Sequence, residues 1–205
     1  MNSYYQSLRE ARTAKLEMLK VIAKTLGMKN EYTEKHSESM LLLSVETAKK
    51  LSFSMEQLED IEYGTILHDI GKIAVPDNIL NKPGKLTPEE FEIMKKHSLI
   101  GYELLKDVFE PISLIIRDHH EKLDGSGYPN GIKNVDPEAQ IVACADIYDA
   151  LISKRPYKNE ISHEKAIDIM ITDLSGKIDD KILTEFLKTA EEFKNWYKKP
   201  PKRRF

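Results

Sequence analysis

The stretch of this chain best equipped for chemistry is His119-His120-Glu121-Lys122-Leu123-Asp124-Gly125-Ser126-Gly127-Tyr128-Pro129. Two adjacent histidines close an apolar helical run, and an acidic, glycine-rich loop ending in Tyr-Pro follows at once. Neutral imidazole is a metal ligand, and aspartate oxygens can bridge two cations. Partners for these histidines recur along the chain as His36, the pair His68-Asp69, His97 and Asp146. Taken singly, each has a plainer explanation. A His-Asp pair can end a helix, and a single histidine can be a hydrogen-bonded core residue. Taken together they read as a metal site with several ligands. The apolar approach Thr65-Ile66-Leu67 buries the helix face that carries His68-Asp69, and burial of an unpaired His-Asp is costly. Asp146, inside the apolar run Ala143–Ala150, needs a partner too, whether a metal or an arginine. His163, in the polar helix start Ser162-His163-Glu164, reads as a surface residue.

The elements that must position these groups are helical almost throughout. Leu8, Ala11, Leu16, Leu19, Ala23 and Leu26 space like one face of a first helix ending near Gly27. A second helix is expected from about Thr33 to Leu51. Ser54 with Gln57 forms a capping box for a third, which carries Ile61, Ile66 and His68 and ends at Gly71. Pro76, Pro83 and Gly84 mark a loop with one helical turn. Thr87-Pro88-Glu89-Glu90 starts the helix that carries His97. Pro111 opens another through His119. Gly125 to Asn134 is loop. Asp136-Pro137 starts a helix through Ala150, Ser162 caps one through Met170, and Asp179 or Asp180 starts the last, through Phe193. No strand pattern of useful length and no internal repeat is present. The expectation is an all-α, single-domain helical bundle with an N-terminal helical extension. Residues 1–32 form a packing or dimer helix, 33–195 the catalytic domain, and 196–205 a basic tail.

Composition narrows the function classes. The 205 residues are 40% hydrophobic and 32% charged, and the net charge is -3. That is enough apolar content for a core, and no footprint for a nucleic-acid polymer. The single cysteine, Cys144, excludes an internal disulfide and a cysteine-based zinc site, and reads as a buried inert thiol. No run approaches the roughly 18 apolar residues of a membrane span. The polar start predicts no signal peptide, hence a cytoplasmic location.

The string His68-Asp69-Ile70-Gly71-Lys72, the His119-to-Pro129 string, and Asp146-Ile147-Tyr148-Asp149-Ala150 followed by Arg155-Pro156-Tyr157-Lys158 carry a resemblance. From Thr33 to Leu187 the chain resembles the HD-GYP domains, a branch of the HD-superfamily metal-dependent phosphohydrolases. The resemblance implies a helical bundle of that type and the metal ligands His36, His68, Asp69, His97, His119, His120 and Asp146, with Asp69 bridging. It implies that Lys72 meets a substrate phosphate. Gly127, Tyr128 and Pro129, with Asp149, Arg155 and Lys158, would shape a guanine-nucleotide pocket. The implied activity is hydrolysis of cyclic di-GMP, a bacterial second messenger, to linear pGpG and in some members onward to GMP, with iron or manganese as the metal. Members with three metals share a glutamate four residues before the first ligand histidine. Here that position is Tyr32, flanked by Glu31 and Glu34, so two metals are expected.

The physical logic agrees. A phosphodiester is inert and anionic. Two cations roughly 3.5–4 Å apart can hold a bridging hydroxide and neutralise the charge that develops at phosphorus. Lys72, Arg155 and Lys158 add positive charge. The loop glycines allow a ligand to approach the backbone or a positive φ to form, and Tyr128 can stack on a base or donate a hydrogen bond. Two other readings stand beside this one. The first is a phosphohydrolase acting on another cyclic dinucleotide or nucleotide. The second is a binding module whose Gly-Tyr-Pro loop docks a diguanylate cyclase (GGDEF) protein. A homodimer through the first helix is a further expectation.

Overall fold

In the computed structural model the described residues are 34–153 and 161–194, together with scattered helical positions between 6 and 21. Tyr32, Arg155, Lys158 and the basic tail lie outside them, as does the side chain of His36. All regular structure among the described residues is helical. In chain order the elements are α1 (Glu34–Lys50), α2 (Met55–Leu67), a 3₁₀ turn (Ile70–Ala74), α3 (Asp77–Leu80), α4 (Pro88–Leu105), α5 (Glu110–Asp118), α6 (Pro137–Ile152), α7 (His163–Leu174) and α8 (Asp180–Phe193).

Local chemistry sets the helix starts. The Ser54 hydroxyl accepts from the Gln57 N–H, while the Gln57 side chain accepts from the Ser54 N–H, so both halves of the capping box form. Thr87 and Glu90 repeat the arrangement at α4, with Pro88 in the first turn. Asp179 caps α8 by accepting from the N–H groups of Lys181 and Ile182.

Helix α6 is the central element. It packs against α1, α2, α5, α7 and α8. A helix surrounded in this way must be apolar on every face, and Ile141, Val142, Ala143, Cys144 and Ala145 are all buried. The Cys144 thiol is buried and unpaired, and burial pushes its pKa up to about 12, as expected for an inert core thiol.

A second, smaller core of Tyr63, Leu67, Ile70, Leu105, Ile112 and Ile116 joins α2, the 3₁₀ turn, α4 and α5.

Two expectations are corrected here. The third helix does not run through His68 to a Gly71 stop. It ends at Leu67 with His68 as its C-cap, and Gly71 sits inside the 3₁₀ turn. The role of Gly71 is close approach. A Cβ placed there would lie 1.9 Å from the His97 carbonyl oxygen and 2.6 Å from the Gly101 nitrogen, both main-chain atoms of α4. His163 is not a plain surface residue. Its Nδ1 lies 2.6 Å from the Tyr148 hydroxyl, and its Nε2 lies 2.7 Å from Glu191 Oε2. It thereby links α6, α7 and α8. The buried Tyr148 hydroxyl requires a partner, and a histidine on the neighbouring helix supplies it.

Candidate metal centre

Each candidate ligand arrives at the end of an element or on its buried face. His68 caps α2, and Asp69 follows in the turn before the 3₁₀ segment. His97 lies on the buried face of α4. His119 caps α5, and His120 follows it. Asp146 is carried by α6. Five of these side chains converge. Ligand atoms of His97, His119 and His120 all lie within 4.8 Å of one another. Asp69 places Oδ2 3.3 Å from His68 Nε2 and Oδ1 3.5 Å from His97 Nε2. The His68 and His119 rings are 5.4 Å apart, centroid to centroid. Asp146 is near enough for its charge to act on both His68 and Tyr128.

The same hydrogen bond orients three of the histidines. Nδ1 lies 2.8 Å from the Thr65 carbonyl in His68, 2.8 Å from the Met94 carbonyl in His97, and 2.7 Å from the Ile116 carbonyl in His119. A carbonyl can only accept, so Nδ1 carries the proton in each case. That leaves Nε2 as the lone pair of His97 and His119, which burial keeps neutral, and of His68 once its Nε2 proton is displaced. Nε2 of His68, His97 and His119 is buried and has no hydrogen-bond partner. Three buried, bare imidazole nitrogens, two of them within 3.5 Å of the Asp69 carboxylate, are costly unless a cation takes them. Metal-ligating histidines typically show this pattern, with the far nitrogen bonded to main chain. The residues present therefore fit a divalent metal.

Electrostatics support the same view. Burial pushes the His68 pKa down, but the charge and hydrogen bonding of Asp69, with the charge of Asp146, together outweigh it and lift the imidazole to about 9. Burial likewise works against ionised Asp69, yet His68, Lys72 and His97 together hold its carboxyl well below the usual range. Lys72 Nζ is 2.6 Å from Asp69 Oδ2. Burial is the main reason that His97, His119 and His120 are all depressed. The folded chain favours the neutral form of these three, whereas an unfolded chain titrates them near 6.5. Their contribution to stability is present above that pH and is lost as pH falls below it. His68 acts oppositely, stabilising fully below 6.5 and losing that contribution as pH rises through about 9. Three groups oppose one. The expected result is that the urea midpoint of metal-stripped protein falls between about pH 7 and 5, read at constant ionic strength. A midpoint that rises on acidification would contradict this balance.

The loop after His120 folds back over its own start. A Cβ at Gly127 would lie 2.4 Å from the Glu121 Cα and 2.5 Å from the His120 carbonyl oxygen, so only glycine fits. The close approach here is to the chain's own backbone rather than to a ligand. The Tyr128 N–H donates to the His120 carbonyl at 3.3 Å, and the Tyr128–Pro129 peptide is cis. The Tyr128 ring lies 4.5 Å from the His120 ring at an interplanar angle of 30°. Burial, with Asp146 and Asp69 nearby, pushes the phenol pKa well up, so Tyr128 remains a neutral donor.

Sequence reasoning missed Glu121. It is 1% exposed. Its Oε1 accepts from the N–H groups of Asn130 at 2.6 Å and Gly131 at 3.0 Å, closing the loop into a ring. Its position inside the string was the available signal. Asp149 is also 1% exposed, with Oδ1 accepting from Ser39 at 3.0 Å and Oδ2 from Ser153 at 2.9 Å. It ties α1 to the end of α6.

The HD domain family matches residues 20–182. A Thermotoga maritima protein named cyclic di-GMP phosphodiesterase is 40% identical, over 97% of this chain and 60% of its own length. A Vibrio cholerae protein named 3′3′-cGAMP-specific phosphodiesterase 1 is 32% identical, over 84% of this chain and 41% of its own length. This chain therefore spans about half the length of these relatives. Among solved structures, the HDG"Y"P protein Bd1817 of Bdellovibrio bacteriovorus superposes with a TM-score of 0.64 at 24% identity, over 91% of this chain and 63% of that one. Among the described residues, no helix is long and apolar enough to cross a membrane. With its His-Asp pair and its cluster of converging histidines, the chain belongs to the HD domain family.

Proposed function

We propose that this chain hydrolyses cyclic di-GMP to linear pGpG as a metal-dependent phosphodiesterase. The observation that supports it most directly is the trio of buried, unpartnered Nε2 atoms of His68, His97 and His119, the first two beside Asp69, with the Tyr128 ring set against His120. His36, His68, Asp69, His97, His119, His120 and Asp146 would hold two divalent ions, iron or manganese. When bound, such ions supply charge stabilisation at the phosphoryl oxygens and lower the pKa of water. The residues of the chain do the rest. Asp69 provides the carboxylate that draws the cationic groups together. Lys72, fixed to Asp69, presents an ammonium to a phosphate oxygen. Tyr128 donates from a phenol that stays neutral, and Gly127 and Pro129 hold it there, while Glu121 and Asp149 position the loop and α6. Arg155 and Lys158 would complete the guanine pocket from the segment that follows α6. One P–O bond of the ring breaks, and the elements of water are added across it. The expected setting is the cytoplasm, with diguanylate cyclases as possible protein partners.

The experiment is turnover of cyclic di-GMP, 3′3′-cGAMP and cyclic di-AMP by protein loaded with iron, manganese or zinc, with pGpG and GMP resolved and bound metal counted. Expected are about two metals per chain, pGpG as the accumulating product, and a kcat/KM for cyclic di-GMP at least about tenfold above the others. No turnover of any of the three sinks the proposal. A tenfold preference for cGAMP transfers the chain to the specificity named for its Vibrio cholerae relative.

A further inference from the structure

Phe91 and Lys95 stand one turn apart on α4, just before His97, at the outer edge of the site. Phe91 is 44% exposed, a large aromatic side chain that the fold leaves half uncovered. Its ring meets the Tyr128 ring edge to face at 6.3 Å. The Lys95 ammonium lies 5.1 Å from the Phe91 centroid and 5.6 Å from the Tyr128 centroid. Inward, Tyr128 lies 4.5 Å from His120, and His120 lies 3.9 Å from His119. An unbroken ladder of rings thus runs from solvent to the buried ligands, with one cation beside its outer rungs. Lys95 also pairs with Glu92 at 2.6 Å, but the Glu92 side chain is 66% exposed. Such a pair is held weakly in water, so an incoming phosphate can compete for the ammonium.

A cyclic dinucleotide has two bases and two phosphates, and only one phosphate reacts. The other half needs a place of its own, and binding it equally in the ground state and the transition state lowers KM while leaving kcat little changed. We propose that Phe91 and Lys95 form that place. The exposed Phe91 ring takes the purine remote from the scissile bond, with Tyr128 as its inner neighbour, and Lys95 takes the non-reacting phosphate. Aromatic stacking tolerates either purine, since every base has a π face. The pair therefore sets affinity for dinucleotides over smaller phosphates, and leaves the choice between guanine and adenine to other groups. This assignment rests on the reading of the substrate as a cyclic dinucleotide.

The test is steady-state kinetics of metal-loaded Phe91→Ala, Lys95→Met and Lys95→Arg with cyclic di-GMP, and the inhibition constant of inorganic phosphate for each. Expected for Phe91→Ala is a KM raised about tenfold, the range that removal of a stacking ring gives, with kcat changed less than about threefold. The loss on the dinucleotide should exceed the loss on inorganic phosphate at least fivefold. Lys95→Met should raise KM about fivefold, and Lys95→Arg should restore most of it. A fall in kcat with KM unchanged would mean that the pair merely props the Tyr128 loop, and overturns the assignment, as does an unaltered KM in Phe91→Ala. Where wild-type protein turns over no cyclic dinucleotide, the functional reading fails separately. Calorimetric binding of 5′-GMP to wild type and Phe91→Ala then decides the subsite. Tenfold weaker binding in the variant supports it, and equal or absent binding overturns it.

Discussion

Asp69→Asn should lower phosphodiester turnover by at least about a thousandfold, about 4 kcal/mol of barrier, while the chain still folds. The carboxylate reaches three groups at once: His68 Nε2 at 3.3 Å, His97 Nε2 at 3.5 Å and Lys72 Nζ at 2.6 Å. Asparagine keeps the shape and removes the charge. A cation left with the histidines and Asp146 loses the anionic ligand that these distances place at the centre, so bound metal should drop from about two per chain to below one. The fold should survive because the loss is partly self-correcting. In the metal-free chain the elevated pKa of His68 depends on Asp69, so there His68 sheds its proton in the variant. Breaking a fully buried pair costs about 3–5 kcal/mol. Asp69 is 22% exposed, and with that proton released the cost should be nearer about 1–2 kcal/mol. Metal content, kcat/KM and the urea midpoint measure these effects. Turnover within tenfold of wild type would remove Asp69 from the centre of the site.

The second large effect comes from a methyl group that touches no ligand side chain. Gly71→Ala places a Cβ 1.9 Å from the His97 carbonyl oxygen and 2.8 Å from the His97 carbonyl carbon. Neither atom can rotate away, because both belong to the main chain of α4. The 3₁₀ turn and α4 must separate, and that moves His68-Asp69 away from His97. Overpacking of this kind costs about 1–3 kcal/mol or more, and a shift of about 1 Å in a catalytic arrangement can cost about a hundredfold in rate. Both losses are expected together in Gly71→Ala, read as a lower melting temperature and a lower kcat/KM. Wild-type values of both would show that the turn and helix have room to spare. Combining the two substitutions should reduce turnover little beyond Asp69→Asn alone, because both disable one unit.

These two predictions also mark where the chain could be read in advance. The Ser54–Gln57 and Thr87–Glu90 caps are local, and both formed as their spacing implied. Convergence of His68, Asp69, His97, His119 and His120 could be anticipated because so many potential ligands in apolar settings need a common partner. Residues whose role depends on what lies opposite could not be read in that way. Gly71 looked like a helix stop, and only the main chain of α4, 26 residues on, shows that it is a contact point. His163 looked polar and peripheral until Tyr148 and Glu191 were seen on either side of it. Glu121 was in plain view, yet its partners Asn130 and Gly131 become neighbours only when the loop closes.

One bond repeated at the metal centre has a consequence for what the site can become. The carbonyls of Thr65 and Ile116 belong to the last turns of α2 and α5, among the groups that a helix end leaves without an internal partner. They receive their hydrogen from the imidazoles of His68 and His119. Termination of each helix and the aim of its ligand are thus one interaction. Cysteine or aspartate at either position could still bind a metal, but neither can donate to that carbonyl with one atom and ligate with another. The ligand alphabet at these two positions is therefore reduced to a single letter, set by the architecture as much as by the metal.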